Sequence, residues 1–183
     1  MMYVFTLTNH LFSVFWRHAR LLVFVSFLCN IEGVIKFISS NLNGVNMSAL
    51  VKKMNQALGL ELRAINMYAH YAAYVKGMYR LQLEPLFQSE ATESMVHAAT
   101  IRNAIVKHGG ICVTERAPHP IAHTEDYRVM LQSALDTEIK ASEAYGELME
   151  MLDEIEDSEL YDSVEQIYLT ELRSVEEMRM LLN

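Results

Sequence analysis

The sequence predicts an all-α fold: a four-helix bundle in which one long crossover joins the second and third helices. Three observations lead to it. Of 183 residues only seven are Gly and three are Pro, while 51% are apolar, a balance that suits helices and not a sandwich or barrel. After Met47, apolar residues recur at alternating spacings of three and four in four long segments, the period of a helix face. The links between these segments are short except one.

Helix one is expected over residues 48–79. Leu50, Met54, Ala57, Glu61, Ala64, Tyr68, Tyr71 and Val75 fall on a single stripe. Helix two is expected over 82–108, with the stripe Leu83, Leu86, Glu90, Glu93, His97, Thr100 and Ala104, and Gly109-Gly110 stops it. Helix three is expected over 125–153, with Tyr127, Leu131, Ala134, Glu138, Ala141, Tyr145, Leu148 and Leu152. Helix four is expected over 158–182, with Val164, Ile167, Glu171, Val175, Met178 and Leu182, capped at its start by Asp157-Ser158. Short links join antiparallel neighbours. The link at 110–123, with Pro118, His119, Pro120 and His123, spans about 45 Å when extended. A helix of that size is about 40 Å long. The link can therefore cross the whole bundle and leave helices two and three parallel.

Residues 1–46 form a separate hydrophobic extension. Leu11 to Trp16 and Leu21 to Cys29 are apolar runs split by Arg17, His18 and Arg20. Neither approaches the ~20 apolar residues that a membrane span requires. Three readings remain open: upstream sequence translated from a misassigned start, with Met47 the true one; a signal or membrane anchor; or an extra interfacial helix. A membrane partner is expected only if this segment is genuine. The bundle is expected over residues 47–183.

The chain carries a net charge of −8, with residues 1–46 positive and the bundle acidic. An acidic body argues against nucleic acid as a partner and favours cations. Cys29 and Cys112 are not in a CxxC pair, which removes thiolate zinc sites and redox motifs.

Each apolar stripe is interrupted near its middle by a carboxylate: Glu61, Glu93, Glu138 and Glu171. A single such residue ordinarily reaches water from the edge of its helix. Four at matched depth would meet in one core, where unpaired carboxylates are costly. Divalent cations relieve that repulsion, and His97, four residues after Glu93, adds a nitrogen donor. Carboxylate with imidazole suits iron or manganese. Glu90 reads either as a surface residue or as support for the ligands. Tyr68 and Tyr145 lie two turns beyond stripe glutamates and read either as core packing or as hydrogen-bond donors to the ligands.

Glu61-Leu62-Arg63-Ala64-Ile65-Asn66-Met67-Tyr68 resembles the first-helix segment of bacterioferritins, typically E-L-x-A-I-N-Q-Y. Met95-Val96-His97-Ala98 is similar to their second-helix E-M-K-H-A. Ala134-Leu135-Asp136-Thr137-Glu138 and Thr170-Glu171-Leu172-Arg173 occupy matching places on helices three and four. The resemblance covers about residues 48–182 and implies a ferritin-like bundle, with no fifth helix evident. It also implies a di-iron centre. Family ligands are a Glu on helix one, E-x-x-H on helix two, a Glu on helix three and E-x-x-H on helix four. Glu61, His97, Glu138 and Glu171 match. Ser94 stands where the bridging Glu of helix two belongs, with Glu93 one residue earlier as a substitute, and Ser174 stands where the helix-four His belongs. Met95 matches the methionine that holds haem between two bacterioferritin subunits.

The resemblance thus implies two irons per chain, haem at Met95, and a cytoplasmic homo-oligomer, dimer or larger. The implied activity is ferroxidase: Fe(II) oxidised by O₂ or peroxide for iron storage or detoxification. Glu61, His97, Glu138, Glu171 and Tyr68 would carry it. Two alternatives stay open. One is a bundle with a degraded metal site serving as a structural or interaction module, which Ser94 and Ser174 favour. The other is a di-iron oxidoreductase acting on a different substrate.

Overall fold

The structure is a computed structural model and describes residues 47–183, apart from 154 and 156. The expected extension at 1–46 lies outside the described residues. Helix α1 occupies 47–74, and a 3₁₀ turn at Gly77–Tyr79 leads into α2 (Arg80–Lys107). Helices α3 (Tyr127–Asp153) and α4 (Ser158–Leu182) follow. No strand occurs among the described residues, and none of their helices is long and apolar enough to cross a membrane.

Local chemistry sets the helix ends. The first helix stops at residue 74 rather than at the expected 79, because Gly77 takes a φ of 70°, a left-handed conformation open to glycine at little cost. Helix α2 ends in a Schellman motif. Gly110 N donates to Ile105 O at 2.8 Å and Gly109 N to Val106 O at 3.0 Å, with Gly109 at φ 72°. Helix α3 starts after Asp126, whose side chain accepts from Arg128 N at 2.9 Å. Asp157 caps α4 as expected, accepting from Leu160 N at 3.1 Å.

Contacts at the two ends of the bundle fix the topology. Tyr79 and Tyr127 stack with ring centroids 3.8 Å apart, so α2 and α3 begin at the same end. Arg128 at the start of α3 reaches Leu182 O at the end of α4, and Lys107 at the end of α2 pairs with Glu159 at the start of α4. Helices α2 and α3 are therefore parallel, and α4 runs against both. The crossover rises alongside α1. Asn55 bonds both Ile111 O (2.9 Å) and Val113 N (2.7 Å), and Gly59 O accepts from Ala117 N at 2.7 Å. Arg63 grips His119 O and Pro120 O, and Tyr71 reaches Ala122 O. These bonds satisfy backbone groups that a 14-residue irregular segment would otherwise leave to water.

The expected stripes on α1, α3 and α4 are buried along nearly their whole length. That of α2 is displaced. Its buried face runs Leu83, Phe87, Glu90, Ser94, His97, Ile101 and Ala104, so the expected Leu86, Glu93 and Thr100 each move one residue aside. The spacing is four-three where three-four was expected, and it places the bulkier Phe87 and Ile101 inside. Each fully buried side chain of that kind contributes about 1.5–3 kcal/mol. The core comes in two parts. Toward one end lie Met67, Tyr71, Val75, Phe87, Leu131 and Met178; toward the other lie Leu50, Met54, Ile105, Leu148, Leu152 and Val164. A polar layer separates them.

Candidate metal centre

The polar layer draws on all four helices. Glu61 comes from α1, Glu90, Ser94 and His97 from α2, Glu138 from α3, and Glu171 and Ser174 from α4; all seven are buried. Mid-helix stripe positions aim them inward, and the antiparallel packing brings them to a common depth. Four of them are carboxylates facing one another away from water. An array of that kind is stable only with protons or cations to neutralise it.

Donor atoms of Glu61, His97 and Glu171 lie within 4.8 Å of one another. His97 Nδ1 is 2.8 Å from Glu171 Oε1 and 3.5 Å from Glu61 Oε1. These are ion-pair distances, although neither carboxylate oxygen meets the ring nitrogen in hydrogen-bond alignment. A buried ring nitrogen without an aligned hydrogen-bond partner is uncommon. Here it is aimed into a group of carboxylates, the donor set of an iron or manganese site. The residues present therefore fit a divalent cation.

Two tyrosines hold the carboxylates in place. Tyr145 Oη donates to Glu61 Oε1 at 2.6 Å, and Tyr68 Oη donates to Glu138 Oε1. Burial, followed by the neighbouring glutamates, raises both phenols well above their ordinary range, so both stay neutral donors. Burial also pushes Glu138 well up, helped by contact with Glu171. Glu171 is pushed up to about 8, first by burial, while its contact with Glu138 opposes the rise and the charges of Glu61 and Glu90 add to it. Burial alone would lower the His97 imidazole; Glu61, Glu93 and Glu138 outweigh it and hold the ring above its ordinary value.

The sequence-derived candidates divide in three ways. Glu61, His97 and Glu171 converge, and Glu138 joins them through Glu171 and Tyr68. Glu93 is half-buried and lies outside the converging trio, although its charge still reaches His97. Met95 is 50% exposed on the outer side of α2, next to exposed Val96. Glu90, which the sequence left ambiguous, is only 8% exposed, and its Oε2 accepts from Ser174 Oγ at 3.3 Å. It is pushed up to about 7, chiefly by burial and then by Glu138 and Glu93. The pattern that could have singled it out is Glu90–Ser94–His97, at spacings of four and three on one helical face.

Comparison with known proteins agrees with this geometry. The family model described as ferritin-like domain matches residues 51–183. Among solved structures, the chain is similar to a ferritin-like, diiron-carboxylate protein from Bacillus anthracis str. Ames, at 32% identity and a TM-score of 0.72, over 75% of this chain and 98% of that one. It also shares its fold with a dodecameric thioferritin, the bacterioferritin-related protein of Bacteroides fragilis, at 22% identity and a TM-score of 0.69, over 74% of this chain and 85% of that one. A Dps protein from Bacillus brevis superposes with a TM-score of 0.71 at 15% identity, over 76% of this chain and 98% of that one. No curated protein sequence gives a significant match. A family model spanning most of the chain, a relative at 32% identity and a four-helix bundle with a carboxylate–histidine core together establish that this chain belongs to the ferritin-like domain family.

Proposed function

We propose that the protein is a bacterioferritin-like ferroxidase, which takes up Fe(II) between its four helices and oxidises it for storage or detoxification. The observation that carries this reading is the buried meeting of His97 Nδ1 with Glu61 and Glu171, their donor atoms within 4.8 Å of one another. Fe(II) is the substrate, and two ions per chain are expected. Two Fe(II) side by side give up one electron each. That pair reduces O₂, with two protons, to hydrogen peroxide, or reduces peroxide to water.

The chain's own residues set the conditions. Tyr145 and Tyr68 fix the Glu61 and Glu138 carboxylates before iron arrives, so little order has to be gained on binding. The apolar layers on either side keep bulk water from the reacting ions. The proton that the raised Glu171 carboxyl holds at neutral pH leaves as iron enters, so uptake releases protons. Assembly into a homo-oligomer belongs to the same proposal and is supported by the exposed apolar Met95 and Val96 on the outer side of α2. A haem at Met95 would have to lie against that face, between copies.

Aerobic addition of Fe(II) to the purified protein, followed by Fe(III) absorbance and O₂ consumption, tests the proposal. Oxidation well above the buffer rate is expected, and Glu61→Ala with Glu138→Ala should abolish it. Rates equal to buffer, with no iron retained, would refute ferroxidase activity and leave the structural-module reading.

A further inference from the structure

Two ligand positions of the resembling family hold serine in this chain, and the structure shows what occupies the space they leave. Ser94 and Ser174 are both buried and small. Glu90 stands one helical turn before Ser94 on the same face of α2. Its side chain reaches across to α4, where Ser174 Oγ donates to Oε2 at 3.3 Å. Glu138 is the strongest charged neighbour of Glu90, and Tyr68, the donor to Glu138, feels both carboxylates. Glu93 is half-buried and lacks such a cross-helix tie to Ser174.

We infer that Glu90 replaces both missing ligands, so that Glu90, Glu138 and Glu171 hold the second cation while Glu61, His97 and Glu171 hold the first. The inference rests on the metal-binding reading above and deepens it. It stands beside the buried trio of Glu61, His97 and Glu171, whose donor atoms lie within 4.8 Å of one another, so the layer offers an imidazole as well as carboxylates. It also makes the two positions chemically unequal. The first offers nitrogen and oxygen; the second offers oxygen alone. Oxygen-only donors favour harder ions, Mn(II) and Fe(II), and bind divalent transition metals less tightly than sets that include imidazole. The His97 position therefore fills first.

Anaerobic titration with Fe(II) and with Mn(II), read as ions bound per chain by calorimetry and elemental analysis, tests this without any turnover. The wild-type chain should bind two ions in steps of unequal affinity. Glu90→Gln, nearly the same size and still able to accept from Ser174, should bind one. Glu90→Asp keeps the charge on a shorter arm and should weaken the second step by tenfold or more while sparing the first. Helical content and melting temperature confirm that each variant is folded. Two ions retained by Glu90→Gln, or the second ion lost in Glu93→Gln instead, would overturn the assignment of Glu90 and leave the metal-binding reading intact. One ion in the wild type would also overturn it. No ion in the wild type would sink both.

Discussion

Replacing Glu90 by Gln should make the metal-free bundle more stable at pH 8 and leave it unchanged near pH 4. The carboxyl of Glu90 is raised from 4.5 to about 7 in the folded chain, chiefly by burial. Between those values the native state holds a proton that the unfolded chain has released. Stability is therefore present in full below pH 4.5 and is lost as pH rises through 7. At about 1.4 kcal/mol per pH unit, the loss is about 3.5 kcal/mol by pH 8. Glu90 titrates alongside the neighbouring Glu138, and partial relaxation of the empty site lowers the figure, so the realised loss is on the order of 2–3 kcal/mol. Gln keeps the neutral form at every pH and recovers that amount. For a bundle of this size the gain corresponds to a rise of roughly 6–12 °C in melting temperature. Thermal melts of chelator-treated protein at pH 4, 6 and 8 measure it, with the difference between variant and wild type growing across the series. An equal shift at all three values, or a loss at pH 8, would refute the claim that a buried, ionising carboxyl limits the empty bundle.

Three other outcomes follow from the same geometry. Tyr145→Phe removes the 2.6 Å donor to Glu61 and should cost about 1–3 kcal/mol in the metal-free fold, with weaker first-ion binding by titration. Gly110→Ala places a Cβ 2.6 Å from Val51 Cγ1 and 2.9 Å from Ile105 Cγ2 at the end of α2; denaturant midpoints should fall by the equivalent of about 1–3 kcal/mol. Asp157→Ala removes the cap on Leu160 N, and chemical denaturation should register about 1 kcal/mol, with no change in metal content.

Much of this architecture was legible from spacing alone. Stripes of three and four put Tyr68, Glu138 and Glu171 on inward faces, and they are inward. The Gly109-Gly110 stop and the Asp157 cap were legible because each has a specific backbone role. The first helix ran short because its apolar pattern carries to Val75, one residue past the helix, and Gly77 then turns the chain. On α2 a one-residue ambiguity in the stripe decided the site. Glu90 and Glu93 are both compatible with a 3.6-residue period, and only packing of Phe87 and Ile101 selects the face that buries Glu90. Neither Tyr145 to Glu61 nor Ser174 to Glu90 could be read from the sequence, since each joins residues 84 apart in the chain.

Anomalous diffraction at the iron edge, from crystals soaked anaerobically in Fe(II), addresses the central claim most directly. Two peaks are predicted inside the bundle, the stronger within bonding distance of His97 Nδ1 and flanked by Glu61 and Glu171, the weaker beside Glu90. Iron found only at surface carboxylates, with the core empty and His97 Nδ1 unmoved, would contradict the account.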